Sequence, residues 1–514
     1  MNNSPNILMI MADQLAASYL GTYGHSVVKT PNIDALAKRG VVFENAYSNC
    51  PICAPSRASL LTGRHVSEIG AFDNGSELPA SVPTLMHHLR RADYEVVLAG
   101  KAHFVGPDQM HGFQRRLTPE IYPSDFSWTP DWNAGPVPNP GTAVDQLRDS
   151  GLCAWNLQLD HDEEVRFRSL EYLRDFARRK DAGKPFFLCS SFTHPHEPFI
   201  TTQRWWDLYA PEDIDLPGVE KIPTEEMHAF DQWLQLHHMV DEYPLTEEQI
   251  RNTRHAYYSM VSYFDHQVGG LVAELERLGL DENTIIVVTS DHGEMLGERG
   301  MWFKRTYFEN SVKVPLIFAG TDAVGSGLRM QKEVSLVDLM PTFLDLAGLK
   351  DLDAVETTLA GESLGSMLSG EDQRRVEGII SEYYSEGVIQ PMRMAVRDRF
   401  KYVYVHEHEA QLFDLRNDPG ELNNCIGDPN HAVRLAQLQE LVHSGWEPDE
   451  VRARVIESQQ RRLWIREAGR DGPGTSWDVA PSFDPQEQYV RRKNAQQTNI
   501  EKRVPRVGQD ESHD

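Results

Sequence analysis

Cys53 is followed by Ala54-Pro55-Ser56-Arg57 and then by Ala58-Ser59-Leu60-Leu61-Thr62-Gly63-Arg64. By type alone this is a cysteine just before the N-terminal turn of a helix, with an arginine four residues on. Unpaired helical N–H groups and a guanidinium both favour a thiolate or another anion, so the segment reads as a seat for a nucleophile. A buried structural cysteine is the bland alternative. Two further places carry chemistry. Asp13 follows the apolar run 6–12, and the pair Asp291-His292 follows the apolar run 284–290. Carboxylates suit a hard divalent cation, and an imidazole adds a nitrogen ligand. Asp13 alone would pass as a loop cap. Three such groups at the ends of buried strands point to a metal site.

These side chains need elements to hold them. The runs at 6–12 and 284–290 are continuous and apolar, the pattern of strands buried on both faces. The spacing of apolar and turn residues predicts further strands at 41–43, 94–99, 184–190 and 314–319. It predicts helices at 30–40, 84–91, 163–179 and 252–278, with another starting near 56–61. Thr30-Pro31-Asn32-Ile33-Asp34 puts Pro and Asp in a first helical turn, and Gly40 stops that helix. Strands alternating with helices to about residue 350 give a mostly parallel sheet covered on both faces. Sites in such folds gather beyond the carboxyl ends of the strands. Asp13, Lys101, His196, Asp291 and His292 all stand at such ends.

Residues 105–155 are rich in Pro, Gly, Asp and Trp without sustained periodicity, and read as a long loop or lid. Beyond about 370 the pattern changes to short strands at 378–384, 392–397, 401–405 and 411–415, a small antiparallel sheet, followed by a helix at 448–468. The expected organisation is a catalytic α/β domain at 1–370, a small C-terminal domain at 371–468 and an extended tail at 469–514 that serves as an oligomerisation arm.

The chain of 514 residues has 77 acidic and 50 basic residues, a formal charge of −27. Such a surface disfavours nucleic acid and anionic membranes as partners. It also repels anionic substrates at long range, so a site that takes an anion needs local positive charge. Five cysteines in a long chain do not form a disulfide framework, and the apolar run 7–12 is too short for a signal segment. The expectation is a cytoplasmic protein.

The run Cys53-x-Pro55-Ser56-Arg57-Ala58-Ser59-Leu60-Leu61-Thr62-Gly63-Arg64 resembles the signature of the sulfatase family, part of the alkaline phosphatase superfamily. Residues 6–14, 30–40, 290–300 and 412–424 resemble sulfatases as well, so the likeness covers nearly the whole chain. It implies an α/β fold with a large mixed, mostly parallel sheet sandwiched by helices, and a smaller C-terminal antiparallel α+β domain. The reading of the elements agrees. It also implies a sulfuric ester hydrolase whose Cys53 is oxidised by a maturation enzyme to formylglycine. One divalent metal ion, Ca²⁺ or Mn²⁺, would sit among Asp13, Gln14, Cys53, Asp291 and His292. Arg57 and Lys101 would steady the nucleophile. His103, His196 and Lys304 would hold sulfate oxygens or serve the leaving group.

Asp13-Gln14 and Asp291-His292 resemble the choline sulfatase and phosphonate monoester hydrolase branches. Residues 101–113 and 125–132 closely resemble choline sulfatases. By that resemblance Trp128, Glu382 and Asn74 are the substrate-binding candidates, an aromatic face plus a carboxylate being suited to a quaternary ammonium. The stretch 133–142 is small and Pro-rich where choline sulfatases carry further aromatic and histidine residues, so broad aryl or alkyl sulfates stand beside choline sulfate. A phosphonate monoester or phosphodiester hydrolase on the same scaffold is the rival reading, and an inactive binding protein of sulfatase fold the second. The resemblance implies a homo-oligomer, dimer or tetramer.

Overall fold

The structure, a computed structural model, describes residues 4–179, 184–349, 359–371 and 378–470. The greater part of the expected tail, 471–514, lies outside the described residues. Among the described residues nine strands make the large sheet. Two are only two residues long, Arg115–Arg116 and Lys313–Val314, the latter antiparallel to Val41–Tyr47. The other seven are β1 (Asn6–Ala12), β2 (Val41–Tyr47), β3 (Glu95–Gly100), β4 (Phe186–Ser191), β5 (Thr284–Ser290), β6 (Leu316–Ala319) and β7 (Leu328–Ser335). Their order across the sheet is β7-β2-β6-β5-β1-β4-β3, with Arg115–Arg116 added at the β3 edge. Neighbours run parallel except at β6, which is antiparallel to both β5 and β2. The expected mixed, mostly parallel sheet is present.

Alternation along β1 shows how the sheet is held. Leu8, Ile10 and Ala12 enter one apolar cluster with the long helix Glu247–Leu278, while Ile7, Met9 and Met11 enter another on the opposite face. Successive strand side chains point to opposite faces, so a strand buried on both sides must be apolar throughout. The long helix starts five residues before its expected position, because Thr246 accepts from the Gln249 N–H and Gln249 reaches back to the Thr246 N–H. This reciprocal cap satisfies two donors that a helix otherwise leaves open.

Strand β7, Leu-Arg-Met-Gln-Lys-Glu-Val-Ser, was not among the expected strands. It lies at the sheet edge with its first residues only partly covered, so its polar residues do not mark it as a buried strand. Residues 105–155 hold only short helical turns and two-residue strands, as the lid reading expects.

The second sheet is antiparallel and runs in chain order: β8 (Ile379–Tyr383), β9 (Met392–Arg397), β10 (Phe400–Val405) and β11 (Gln411–Asp414). One face packs with Tyr47, Cys50, Ile52 and Phe308 of the larger layer. Lys401 of β10 is buried at this seam, 2.9 Å from Glu309 and 2.8 Å from Glu421, and donates to the Tyr307 carbonyl at 2.7 Å. Removing one member of a buried ionic group leaves the others uncompensated, at a cost of about 3–5 kcal/mol. Lys401→Met is therefore expected to lower unfolding free energy by about that amount in urea titration. A loss below about 1 kcal/mol would contradict a fastening role for this cation.

Candidate active site

The in-register pairing of β1 with β5 sets the centre of the site. Ala12 stands opposite Ser290 in this parallel ladder. The next residue on each strand is an aspartate, so Asp13 and Asp291 emerge side by side where both strands end. Lys101 follows Gly100, the last residue of β3, whose register partner is Ser191 of β4. The ends of β1, β3 and β5 thus bring Asp13, Lys101 and Asp291 to one place, and Ser191, the last residue of β4, lies among them with its Oγ accepting from Arg57 at 2.8 Å.

The helix Cys53–Thr62 brings the cysteine there. All ten of its residues are buried, and it ends at Gly63, whose φ of 62° suits a residue without a Cβ. Cys53 is the first helical residue, rather than lying just before the helix. Ile52 at the cap position supplies no side-chain acceptor. The Ala54 N–H is instead satisfied by the Asn74 side-chain oxygen at 3.0 Å, and Pro55 has no N–H to satisfy. Asn74, expected to bind substrate, lines the cavity and also performs this capping.

Cys53 Sγ lies 3.1 Å from His292 Nε2 and 3.8 Å from Asp13. Ligand atoms of Asp13, Cys53, Asp291 and His292 all fall within 4.8 Å of one another. His292 Nδ1 is 3.1 Å from the Gly293 carbonyl. A proton on Nδ1 for that bond leaves the Nε2 lone pair facing the cluster, the tautomer a metal ligand needs. Burial holds the His292 pKa below its ordinary value, so the ring stays neutral. Two carboxylates, one neutral imidazole and one sulfur fit a divalent cation.

The two aspartates are matched by two buried cations. Lys101 Nζ donates to Asp13. Arg57 Nε donates to Asp291 at 2.8 Å, and its Nη1 to the Lys101 carbonyl at 2.7 Å and to Ser191 Oγ at 2.8 Å. Arg57 Nη2 faces Asp13 at 3.9 Å without a hydrogen-bond partner. Burial works to raise the Asp13 pKa, but Lys101, with Arg57, outweighs it and keeps the group ionised. Asp291 is held down in the same way, with Arg57 and Lys101 opposing burial and the charge of Asp13.

Above this floor opens a cavity of about 510 Å³, a common size for a small-ligand site. Cys53, Lys101, His103, His196 and Lys304 line it. The His103 ring stacks on Tyr122 with centroids 5.6 Å apart and meets Trp128 edge-on at 5.4 Å. Both His103 nitrogens lack protein partners, and burial with the nearby Lys101 charge keeps the ring neutral. His196 Nε2 is 2.7 Å from Lys304 Nζ, and its Nδ1 is 2.7 Å from the Glu197 carbonyl. Glu197 lies 3.2 Å from Lys304.

One expected role is corrected. Glu382 does not line the cavity: its carboxylate accepts from the Ser67 N–H and Oγ and pairs with Arg393 at 2.7 Å, fully buried in the second sheet. Gln14 adjoins the cluster, its backbone N–H donating to the Asp291 carboxylate at 3.1 Å. Its Oε1, the one side-chain atom able to ligate a cation, accepts from Lys304, and its Nε2 donates to Glu294 at 2.5 Å. Trp128 does line the cavity, 39% exposed at the mouth.

Sequence reading missed Tyr122, Glu197, Arg305 and Glu386, all of which line the same cavity. Tyr122 lies under the Lys101 ammonium at 4.3 Å, with its hydroxyl 3.0 Å from His196. Adjacency was the available signal: Glu197 follows His196, and Arg305 follows Lys304. Gln14, His103, Phe303 and Arg305 all have positive φ, which bulky residues adopt rarely and which clusters at functional sites.

Replacing Lys101 by Met removes the cation closest to Asp13 and one face of the cavity floor. Loss of one preorganised charged donor commonly lowers kcat by about 10²- to 10³-fold. That fall is expected in hydrolysis assays of Lys101→Met, with the circular dichroism spectrum retained. An unchanged kcat would remove Lys101 from the machinery.

Comparison with known proteins agrees with this geometry. The sulfatase family profile matches residues 5–349, and the profile of the choline sulfatase enzyme C terminus matches 453–503. A profile of the N-sulphoglucosamine sulphohydrolase C-terminal region matches 297–445. The chain is 39% identical to a choline-sulfatase of Rhizobium meliloti over 98% of this chain and 99% of that protein. It is 30% identical to a delta 4,5-hexuronate-2-O-sulfatase of Bacteroides thetaiotaomicron, over 85% and 88%. Among solved structures, the phosphonate monoester hydrolase of Agrobacterium radiobacter superposes with a TM-score of 0.69 at 25% identity, over 88% of this chain and 96% of that one. The chain belongs to the sulfatase family of enzymes, with the alkaline phosphatase-like fold its strands and helices build.

Proposed function

We propose that this enzyme hydrolyses sulfate monoesters of small alcohols through an oxidised Cys53 side chain and one divalent cation. The observation that carries the reading is the placement of Cys53 against His292 and Asp13 at the floor of the cavity. Asp13, Asp291, His292 and the residue-53 side chain would hold the ion, which supplies Lewis-acid charge to oxygen. Oxidation of Cys53 to formylglycine by a maturation enzyme replaces the thiol with an aldehyde, and addition of water to that aldehyde gives a diol whose hydroxyl would be the oxygen nucleophile. Calcium and manganese both suit the donor set, and the imidazole favours acceptance of manganese.

The protein's own groups do the remaining work. Arg57 and Lys101 balance the two aspartates, so the floor holds an ester's negative charge without repelling it. His103, neutral and unpaired at both nitrogens, offers a hydrogen-bond donor to a sulfate oxygen. Between His196 and Lys304 the geometry favours Lys304 as the proton donor to the departing alcohol. With the Nδ1 proton directed at the Glu197 carbonyl, His196 Nε2 accepts from Lys304 and steers the ammonium. Glu197 counters the charge of Lys304.

The end-to-end likeness to a choline-sulfatase makes choline sulfate one substrate to test, beside aryl and alkyl sulfates. The structural likeness to a phosphonate monoester hydrolase keeps that chemistry as the second reading. We also propose a cytoplasmic homo-oligomer. Five unpaired cysteines and the absence, among the described residues, of a helix able to cross a membrane are consistent with that location. The direct test compares kcat/KM for choline sulfate, 4-nitrophenyl sulfate and a phenyl phosphonate monoester, before and after chelation. Sulfate esters are expected to lead by at least about tenfold, and chelation to abolish turnover until a divalent ion is restored. A phosphonate lead of the same size would transfer the assignment to the second reading.

A further inference from the structure

The far side of the cavity holds a charge pair that neither the sequence motif nor the reaction requires. Arg305, 3% exposed, lines the cavity beside Lys304 and pairs with Glu386 at 2.9 Å through Nη2 and 3.3 Å through Nε. Both of these nitrogens engage the same oxygen, Oε1. The other oxygen, Oε2, accepts from Ser385 Oγ. Arg305 Nη1 is left with no hydrogen-bond partner in the protein. Its backbone has φ of 82°, far from what arginine favours, and its N–H donates to the Pro51 carbonyl two residues before Cys53. A strained backbone persists only where surrounding contacts hold it. This one fixes the backbone from which a guanidinium enters the cavity that also holds Cys53.

The other charges of the cavity decide what such a group can recognise. Its carboxylates are Asp131, Glu197 and Glu386. Glu197 is matched by Lys304 and Glu386 by Arg305, while Asp131 is exposed at the rim and caps the turn at Asn133. The nearest imidazole, His237, is driven down to about 4 by burial and the Arg305 charge, so it adds no charge at neutral pH. A quaternary ammonium has no hydrogen to give and needs an unmatched carboxylate or an open aromatic face. The exposed Trp128 and Asp131 could supply such groups only on the solvent side; the buried wall offers a guanidinium with an unused N–H donor instead. A carboxylate is the group whose oxygens suit that donor.

We propose that the alcohol portion of the substrate carries a carboxylate, bound by Arg305, so that the preferred esters are O-sulfates of hydroxy acids rather than choline sulfate. Glu386 is then the positioning residue that holds the guanidinium in place. This inference rests on the sulfatase reading above and specifies the substrate of the same site.

The test measures kcat/KM for three esters with the full chain: glycolate O-sulfate, choline sulfate and 4-nitrophenyl sulfate. Wild-type enzyme is expected to favour glycolate O-sulfate over choline sulfate by roughly tenfold or more, the scale of one charge-assisted hydrogen bond. Arg305→Met should cut that ratio at least tenfold, and Arg305→Lys should restore part of it. Because Arg305→Met leaves Glu386 buried without its cation, the double variant Arg305→Met with Glu386→Gln serves as the folded control and should show the same lowered ratio. A wild-type preference for choline sulfate, with a ratio unmoved in both variants, would overturn the inference while leaving the sulfatase reading intact. Failure to cleave any of the three by enzyme with fully oxidised Cys53 would overturn both.

Discussion

Two carboxylates placed side by side in a protein interior repel each other and lose their hydration. Asp13 and Asp291 are in that position because β1 and β5 pair in parallel register and end together. Their ionised state depends on Lys101 and Arg57, which reach them from β3 and from the Cys53 helix. Each of these elements is therefore fixed by charge as well as by its apolar face. A buried pair is strongly destabilised when one partner is lost, so the same contacts that hold the floor of the site also hold the helix that carries Cys53. The three titratable ligands Asp13, Asp291 and His292 need lose no proton to meet a divalent cation, since the imidazole is neutral and the two acids are already ionised.

The large sheet was legible in the sequence because its central strands are buried on both faces. Such strands have no polar side to blur their pattern, and β1 and β5 read as unbroken apolar runs. Strand β7 was not legible for the opposite reason, since an edge strand tolerates polar residues. The start of the long helix was hidden because its first turns are polar and its boundary is set by the Thr246 cap. At the site, residues tied to strand ends or to the Cys53 motif were found in advance. Others were named only where family likeness pointed to them, and of these Glu382 proved to lie within the second sheet, away from the cavity. Glu382 and Glu386 sit four residues apart at the same strand end. Their difference is set by Ser67 and Arg393 on one side and Arg305 on the other, contacts between residues far apart in the chain.

The cavity walls divide the labour. The floor, with Cys53, Lys101 and Arg57, is built from the ends of regular elements and has little freedom to vary. The mouth, with Trp128, and the inner wall, with Arg305 and Glu386, come from loops, where specificity is commonly carried on a rigid scaffold. This separation is compatible with a chain that is similar both to a choline-sulfatase and, in fold, to a phosphonate monoester hydrolase. Sulfate and phosphonate monoesters present the same tetrahedral, singly charged group to the floor. Selection among alcohols falls to the walls.

The most direct test is peptide mass spectrometry on the proteolytic fragment containing Cys53, with sulfate ester turnover measured on the same preparations at several degrees of conversion. The account expects the thiol to be replaced by an aldehyde and activity to rise in proportion to the converted fraction. Full activity in a preparation whose Cys53 remains a thiol would contradict it and require another nucleophile.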